Sequence, residues 1–176
     1  MMRTTTRKIA VTAAATALVG ALGGGTAAHA SSSTTATSAD GNAAPSACRP
    51  ANHIAKIATA PATSGHRHYR VTLTAAPGYE PCRLAGSPTD VRFYHHGSLD
   101  GVTAGRYGPQ HMAVTFGPGH PVHFDIRVPH GSAGAPADEA TFTLRTPDGV
   151  IPGESSARGR LVVDAGTAIG PVRPGA

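Results

Sequence analysis

The sequence predicts an all-β protein built as an antiparallel β-sandwich, and three observations carry that prediction. Apolar residues alternate with polar ones along several short runs, which is the period of strands with one buried face. Gly/Pro clusters such as APGYEP, GPGHP, HGSAGAP and TPDG separate these runs, as the turns of a many-stranded domain require. The stretch after the first cysteine, about 125 residues long, suffices for a single core that buries about two-thirds of the unfolded chain's surface. Two packed sheets are the usual way for short, half-buried strands to share such a core.

The elements follow in chain order. Residues 1–30 read as an export signal: MMRTTTRK is a positive n-region, IAVTAAATALVGALGGG an apolar stretch, and Ala28, His29 and Ala30 an A-x-A-like cleavage site. The mature chain is expected to begin near Ser31. The apolar stretch is too short and too rich in Ala and Gly for a membrane span, and no second one follows. The expectation is a secreted protein, extracellular or held at the wall, with no transmembrane span. Residues 31–47, SSSTTATSADGNAAPSA, carry no apolar residue larger than alanine except Pro45; they read as a flexible linker that cannot offset its ordering entropy. The β-sandwich domain is expected over 48–176.

Its first segment, ANHIAKIATA, spaces Ile54 and Ile57 by three, which fits a helical turn as well as an irregular strand; it is read as a strand. The alternation then places Tyr69, Val71 and Leu73 on one face, followed by Val91 and Phe93, and by Met112, Val114 and Phe116. In VHFDIRV, Val122, Phe124, Ile126 and Val128 oppose His123, Asp125 and Arg127, and Phe142 with Leu144 and Leu161 with Val163 complete the set. A hairpin at FGPGHP would pair Val114 with Phe124 and Phe116 with Val122. That register needs an odd loop, Gly117 to Pro121, because a two-residue turn at Pro118 and Gly119 would send one apolar set into water.

Charge excludes some functions. The precursor carries a formal +5, but removing Arg3, Arg7 and Lys8 from its 15 basic residues leaves 12 against 10 acidic ones, or +2. So small and scattered a charge gives no reason to expect nucleic acid or an anionic membrane as partner. Apart from Lys8 and Lys56 every basic residue is arginine, which with the abundant Ala, Gly and Pro points to a GC-rich genome.

The chemistry-bearing residues are few. Cys82 could be a nucleophile, a metal ligand or half of a disulfide, with His66, His68, His95 and His96 as bases that could fold near it. Two cysteines in an exported domain favour pairing, so a Cys48–Cys82 bridge is expected. Among the histidines, His66 and His68 would share a strand face, as would His123 and Asp125, but a metal site needs three or four groups to converge. Adjacent His95 and His96 would point to opposite sides of a regular strand. No metal site, cofactor or catalytic residue is therefore expected. HGSAG around Ser132 has His130 where a hydrolase elbow needs glycine, and Asp138 and Glu139 are neighbours that a strand would direct apart. HRHYR, His66 to Arg70, could contact a sugar, a polyanion or single-stranded nucleic acid but is read as the solvent face at the start of a strand.

A first cysteine opening the domain, the segment HYRVTLTAAPGYEPCRLAGSPTDVRFY and the hairpin VTFGPGHPVHFDIRV together resemble the actinobacterial secreted family called domain of unknown function 4232. Cys82, Leu84, Gly86 and Pro88 carry the most specific part of the likeness. The resemblance covers roughly Cys48 to Val163 and implies an immunoglobulin-like sandwich with no assigned activity. Many members carry a second cysteine pair, which this chain lacks. The functional expectation is a non-enzymatic extracellular or envelope-associated binding module with an unidentified partner. The alternatives are an inhibitor of secreted proteases presenting HGSAGAP, and a histidine-based metal-binding protein or enzyme.

Overall fold

The computed structural model describes residues 45–131 and 134–176. The expected export signal, most of the linker, and Ser132 of the HGSAG motif lie outside the described residues. After a 3-10 turn at Pro50–Asn52, the chain forms β1 (His53–Thr63), β2 (His66–Ala75), β3 (Cys82–Ala85), β4 (Thr89–His95), β5 (Ser98–Asp100) and β6 (Gly105–Arg106). It continues with β7 (Ala113–Phe116), β8 (Val122–Pro129), β9 (Ala135–Thr143), β10 (Arg145–Thr146), β11 (Gly149–Val150), β12 (Ser155–Val163), β13 (Ala168–Ile169) and β14 (Arg173–Pro174). The all-β expectation holds. Among the described residues no helix is long and apolar enough to cross a membrane.

Ten strands form one sheet in the order β5-β4-β9-β12-β1-β2-β8-β13-β6, with β14 also beside β8; β3 and β7 make a separate ribbon, and β10 and β11 a short hairpin. Most ladders are antiparallel, but β1 runs parallel to β12 and β13 parallel to β6. The large sheet curls upon itself. Phe124 on β8 and Phe142 on β9 are four strands apart in the sheet order, which in a flat sheet would separate them by about 19 Å. Their rings meet edge to face at 5.1 Å. The sandwich-like core lies inside this curl, where Tyr69, Val71, Leu73, Phe93, Val122, Phe124, Ile126, Val128, Phe142, Leu144, Leu161 and Val163 are all buried.

The alternation read from the sequence is therefore the buried pattern, with two corrections. Met112 precedes β7 and is exposed, so only Phe116 of its set is fully buried. The expected β7–β8 hairpin does not form, because β7 pairs with β3, matching Cys82 to Phe116 and Leu84 to Val114, while β8 pairs with β2. The tight turn does occur, closed by the single Gly117–His120 bridge. It leaves no apolar set in water because the two strands part at once into different sheets, so Phe116 and Val122 both reach the core. In the first segment, Ile57 is buried and Ile54 exposed, as an odd spacing on a strand dictates.

The Cys48–Cys82 disulfide is present, with a Cα–Cα distance of 6.0 Å. It fastens the start of the domain to the start of the β3–β7 ribbon. Residues counted with the linker already belong to the domain: Ala47 is buried and donates its N–H to Glu80 O at 2.8 Å, and Glu80 N donates to Pro45 O at 3.1 Å. The Cys-x-Leu-x-Gly-x-Pro stretch has a structural reason. Leu84 and Ser87 are fully buried, and Gly86 sits at φ 68 where a Cβ would lie 2.8 Å from Gln110 O. The Gln110 side chain accepts from Ser87 N at 2.8 Å and donates to Ser87 Oγ, Tyr107 O and Gly108 O at 3.0 Å each. One amide thereby satisfies the polar groups of a buried loop.

Candidate functional site

Cys82 offers no thiol, since both cysteines are spent in the bridge. The remaining chemistry gathers in three places.

The first is a pair that no local motif announces, because its members stand 102 positions apart. His53, at the start of β1, has Nδ1 3.0 Å from Ala47 O and Nε2 3.1 Å from Ser155 Oγ, and its ring meets Phe116 edge to face at 5.6 Å. The carbonyl of Ala47 can only accept, so the ring carries a hydrogen at Nδ1. Burial, the largest influence, pushes its pKa below the ordinary value despite opposing hydrogen bonds to the backbone of Ala47 and Arg49. Ser155 is itself buried, and the imidazole is oriented by a backbone carbonyl where a catalytic triad has a carboxylate. The pair ties the disulfide-bearing segment to β12.

The second place is the outer face of the large sheet. Residues directly opposite one another across a ladder share a face, and the registers Arg158↔Lys56, Lys56↔Thr72, Thr72↔His123 and His123↔Arg173 make one continuous row across β12, β1, β2, β8 and β14. The flanking rows add Arg70↔Asp125 and His68↔Arg127. His66 and His68 of HRHYR share this face, as expected, with ring centroids 6.5 Å apart. Arg70 reaches Asp125 at 3.3 Å and Arg158 reaches Glu139 at 3.7 Å. Arg127 lies over the Tyr107 ring at 4.3 Å, and burial first, then the Asp125 charge, raises the phenol pKa, opposed by Arg127 and Arg173. Five cations, Lys56, Arg70, Arg127, Arg158 and Arg173, thus gather on one face with Asp125, Glu139 and Glu154 among them, and Lys56, Arg158 and Arg173 are exposed.

The third place corrects the reading of the neighbouring histidines. His96 adopts φ 48 and Gly97 φ 79, the two positive-φ positions of a type I′ turn between His95 and its partner Ser98. This turn breaks the strand alternation, so both imidazoles approach Asp138 Oδ2, His95 Nδ1 at 3.5 Å and His96 Nδ1 at 3.4 Å. The neighbouring carboxylates do part, as expected: Asp138 meets the histidines and Glu139 meets Arg158.

A family model described as Domain of unknown function (DUF4232) matches residues 48–172. The chain belongs to that family. No curated protein and no solved structure matches it.

Proposed function

We propose that this member of the DUF4232 family is exported and works outside the cytoplasm as a non-enzymatic binding module. Its partner is an anionic polymer of the envelope or medium, held against the outer face of β12, β1, β2, β8 and β14. The observation that carries this reading is the row from Arg158 through Lys56 to Arg173, which concentrates positive charge that the linear sequence scatters. A broad cationic face gains counterion release and rapid encounter from a polyanion without needing a pocket. Export is supported by the A-x-A-ended leader and by the disulfide, which persists in oxidising surroundings. The arginine-rich, GC-type composition supports an actinobacterial source, and the curled two-faced core supports an immunoglobulin-like relationship.

The test is a pull-down of envelope and culture-medium polymers at low and high salt, comparing the natural chain with the triple variant Lys56→Glu, Arg158→Glu, Arg173→Glu. Salt-sensitive capture that the triple variant loses by at least tenfold is expected. Equal capture by both proteins, or capture insensitive to salt, overturns the polyanion assignment. Turnover of any substrate in a hydrolase panel overturns the non-enzymatic part.

A further inference from the structure

We propose that His95, His96 and Asp138 bind one divalent transition-metal ion of the zinc class. The fold brings the three ligands together from both sides of a ladder. Asp138 lies on β9 one step beyond the registered pair Tyr94↔Glu139, which sets it opposite His95 at the end of β4. The His96–Gly97 turn then swings the second imidazole to the same side, where the two rings stand 4.1 Å apart between centroids. One ligand atom from each of the three residues lies within 4.8 Å of the others.

The distances favour an ion over direct hydrogen bonds. A charge-assisted N–H···O bond closes to about 2.7–2.9 Å, whereas the imidazole nitrogens stop at 3.5 and 3.4 Å from the carboxylate oxygen. Tetrahedral zinc with bonds of about 2.0–2.1 Å sets its ligand atoms roughly 3.3–3.4 Å apart. The observed spacings match that edge. His95 Nδ1 is moreover shielded from solvent and has no hydrogen-bond partner, an arrangement that costs free energy unless something occupies its lone pair.

The rest of the cluster is pre-positioned. The Asp138 carboxylate is held by the His96 backbone N–H, which donates to Oδ2 at 3.0 Å, and this leaves that oxygen a further acceptor site. His96 is 82% exposed in its side chain, so an ion enters from solvent and keeps at least one position for water or an external ligand. Two imidazoles and one carboxylate suit zinc, copper or nickel better than calcium or magnesium. Asp138 turns to the face of β9 opposite the one on which Glu139 meets Arg158, so the site shares no residue with the cation row and stands or falls separately from the polyanion reading.

The experiment is calorimetric titration of the untagged chain with Zn²⁺ alone, repeated with Mg²⁺, in a buffer that does not chelate. Variants His96→Asn and Asp138→Asn remove ligands conservatively, since asparagine tolerates the left-handed turn and its amide oxygen still accepts the His96 N–H. One saturable equivalent of Zn²⁺, weakened at least tenfold in both variants and unchanged in a His66→Ala, His68→Ala control, is expected, together with a zinc-dependent rise in Tm that the variants lose. Metal-free melting points of the two asparagine variants close to that of the parent will show that they fold. Absence of saturable uptake up to 100 μM, uptake equal in all variants, or loss only in the His66/His68 control each overturns the proposal.

Discussion

Removal of the Cys48–Cys82 bridge by the double variant Cys48→Ala, Cys82→Ala tests the account of how the domain is held. The bridge spans a sequence separation of 34. A cross-link across a loop of that size restricts the unfolded chain by about 3.5–4 kcal/mol in the chain-entropy model. Truncating the buried Cys48 side chain adds about 1 kcal/mol of lost packing. For a domain of this size the unfolding entropy near the melting point is about 0.27 kcal/mol/K, so Tm should fall by roughly 13–15 °C on reduction and by roughly 17–19 °C in the double variant. Circular dichroism melts of the oxidised chain, the same chain under reductant and the double variant supply the comparison. Denaturant titration should also give a larger m-value for the variant, because an unbridged chain exposes more surface on unfolding. A Tm change under about 4 °C in both reduced and variant forms, with m unchanged, would refute the reasoning and leave Ala47, Glu80 and their hydrogen bonds as the true fastening.

His53 and Gly159 give two further predictions. The folded-state pKa of His53 lies below its ordinary value, so the unfolded chain binds the proton more readily. The stability that His53 contributes is full above about pH 6.5 and is lost as pH falls from there towards the folded pKa. Replacing it by glutamine should flatten the stability curve of the natural chain across that window, and parallel curves for the two proteins in denaturant melts between pH 5 and 7.5 would contradict the burial argument. Gly159, at φ 155 within the bulge of β12, faces β1 so closely that a Cβ would run into the Ile57 carbonyl. Because the obstacle is backbone in a paired strand, Gly159→Ala should cost about 2–4 kcal/mol. Gly65→Ala, at φ 78 with open space around it, should cost only about 1–2 kcal/mol. Equal losses at the two positions would show that backbone conformation outweighs crowding.

The parts of the fold written in local periodicity were legible from the residues. Val122 to Val128 and Tyr69 to Leu73 announced their buried faces because a half-exposed strand imposes its period on its own sequence. The pairing partners were not legible. Phe116 looks equally ready to meet Val122 or Cys82, and only the long-range competition for β2 sends β8 one way and β7 the other. Met112 shows the same limit, since alternation continued one residue past the point where the strand begins. The candidate sites divide along similar lines. The cysteine pair follows from counting, whereas the cation row is spread over five strands and exists only through their registers. The meeting of His95 with His96 is invisible to strand alternation because the Ser98 pairing forces positive φ at His96, a demand that histidine tolerates better than most side chains but does not advertise.

The parallel contact between β1 and β12 bears on how the molecule comes into being. Among the described residues β1 is the first long strand in chain order, yet it occupies an interior place in the sheet, and one of its two neighbours ends at Val163. Until that neighbour arrives, the β1–β2 hairpin presents a long unpaired backbone edge. Such an edge invites pairing with other chains, and closing it across more than 90 residues is slow relative to local hairpin formation. The order of synthesis thus makes the beginning of the domain wait for its end, and the interval between them is when this protein is most exposed to association with its own copies.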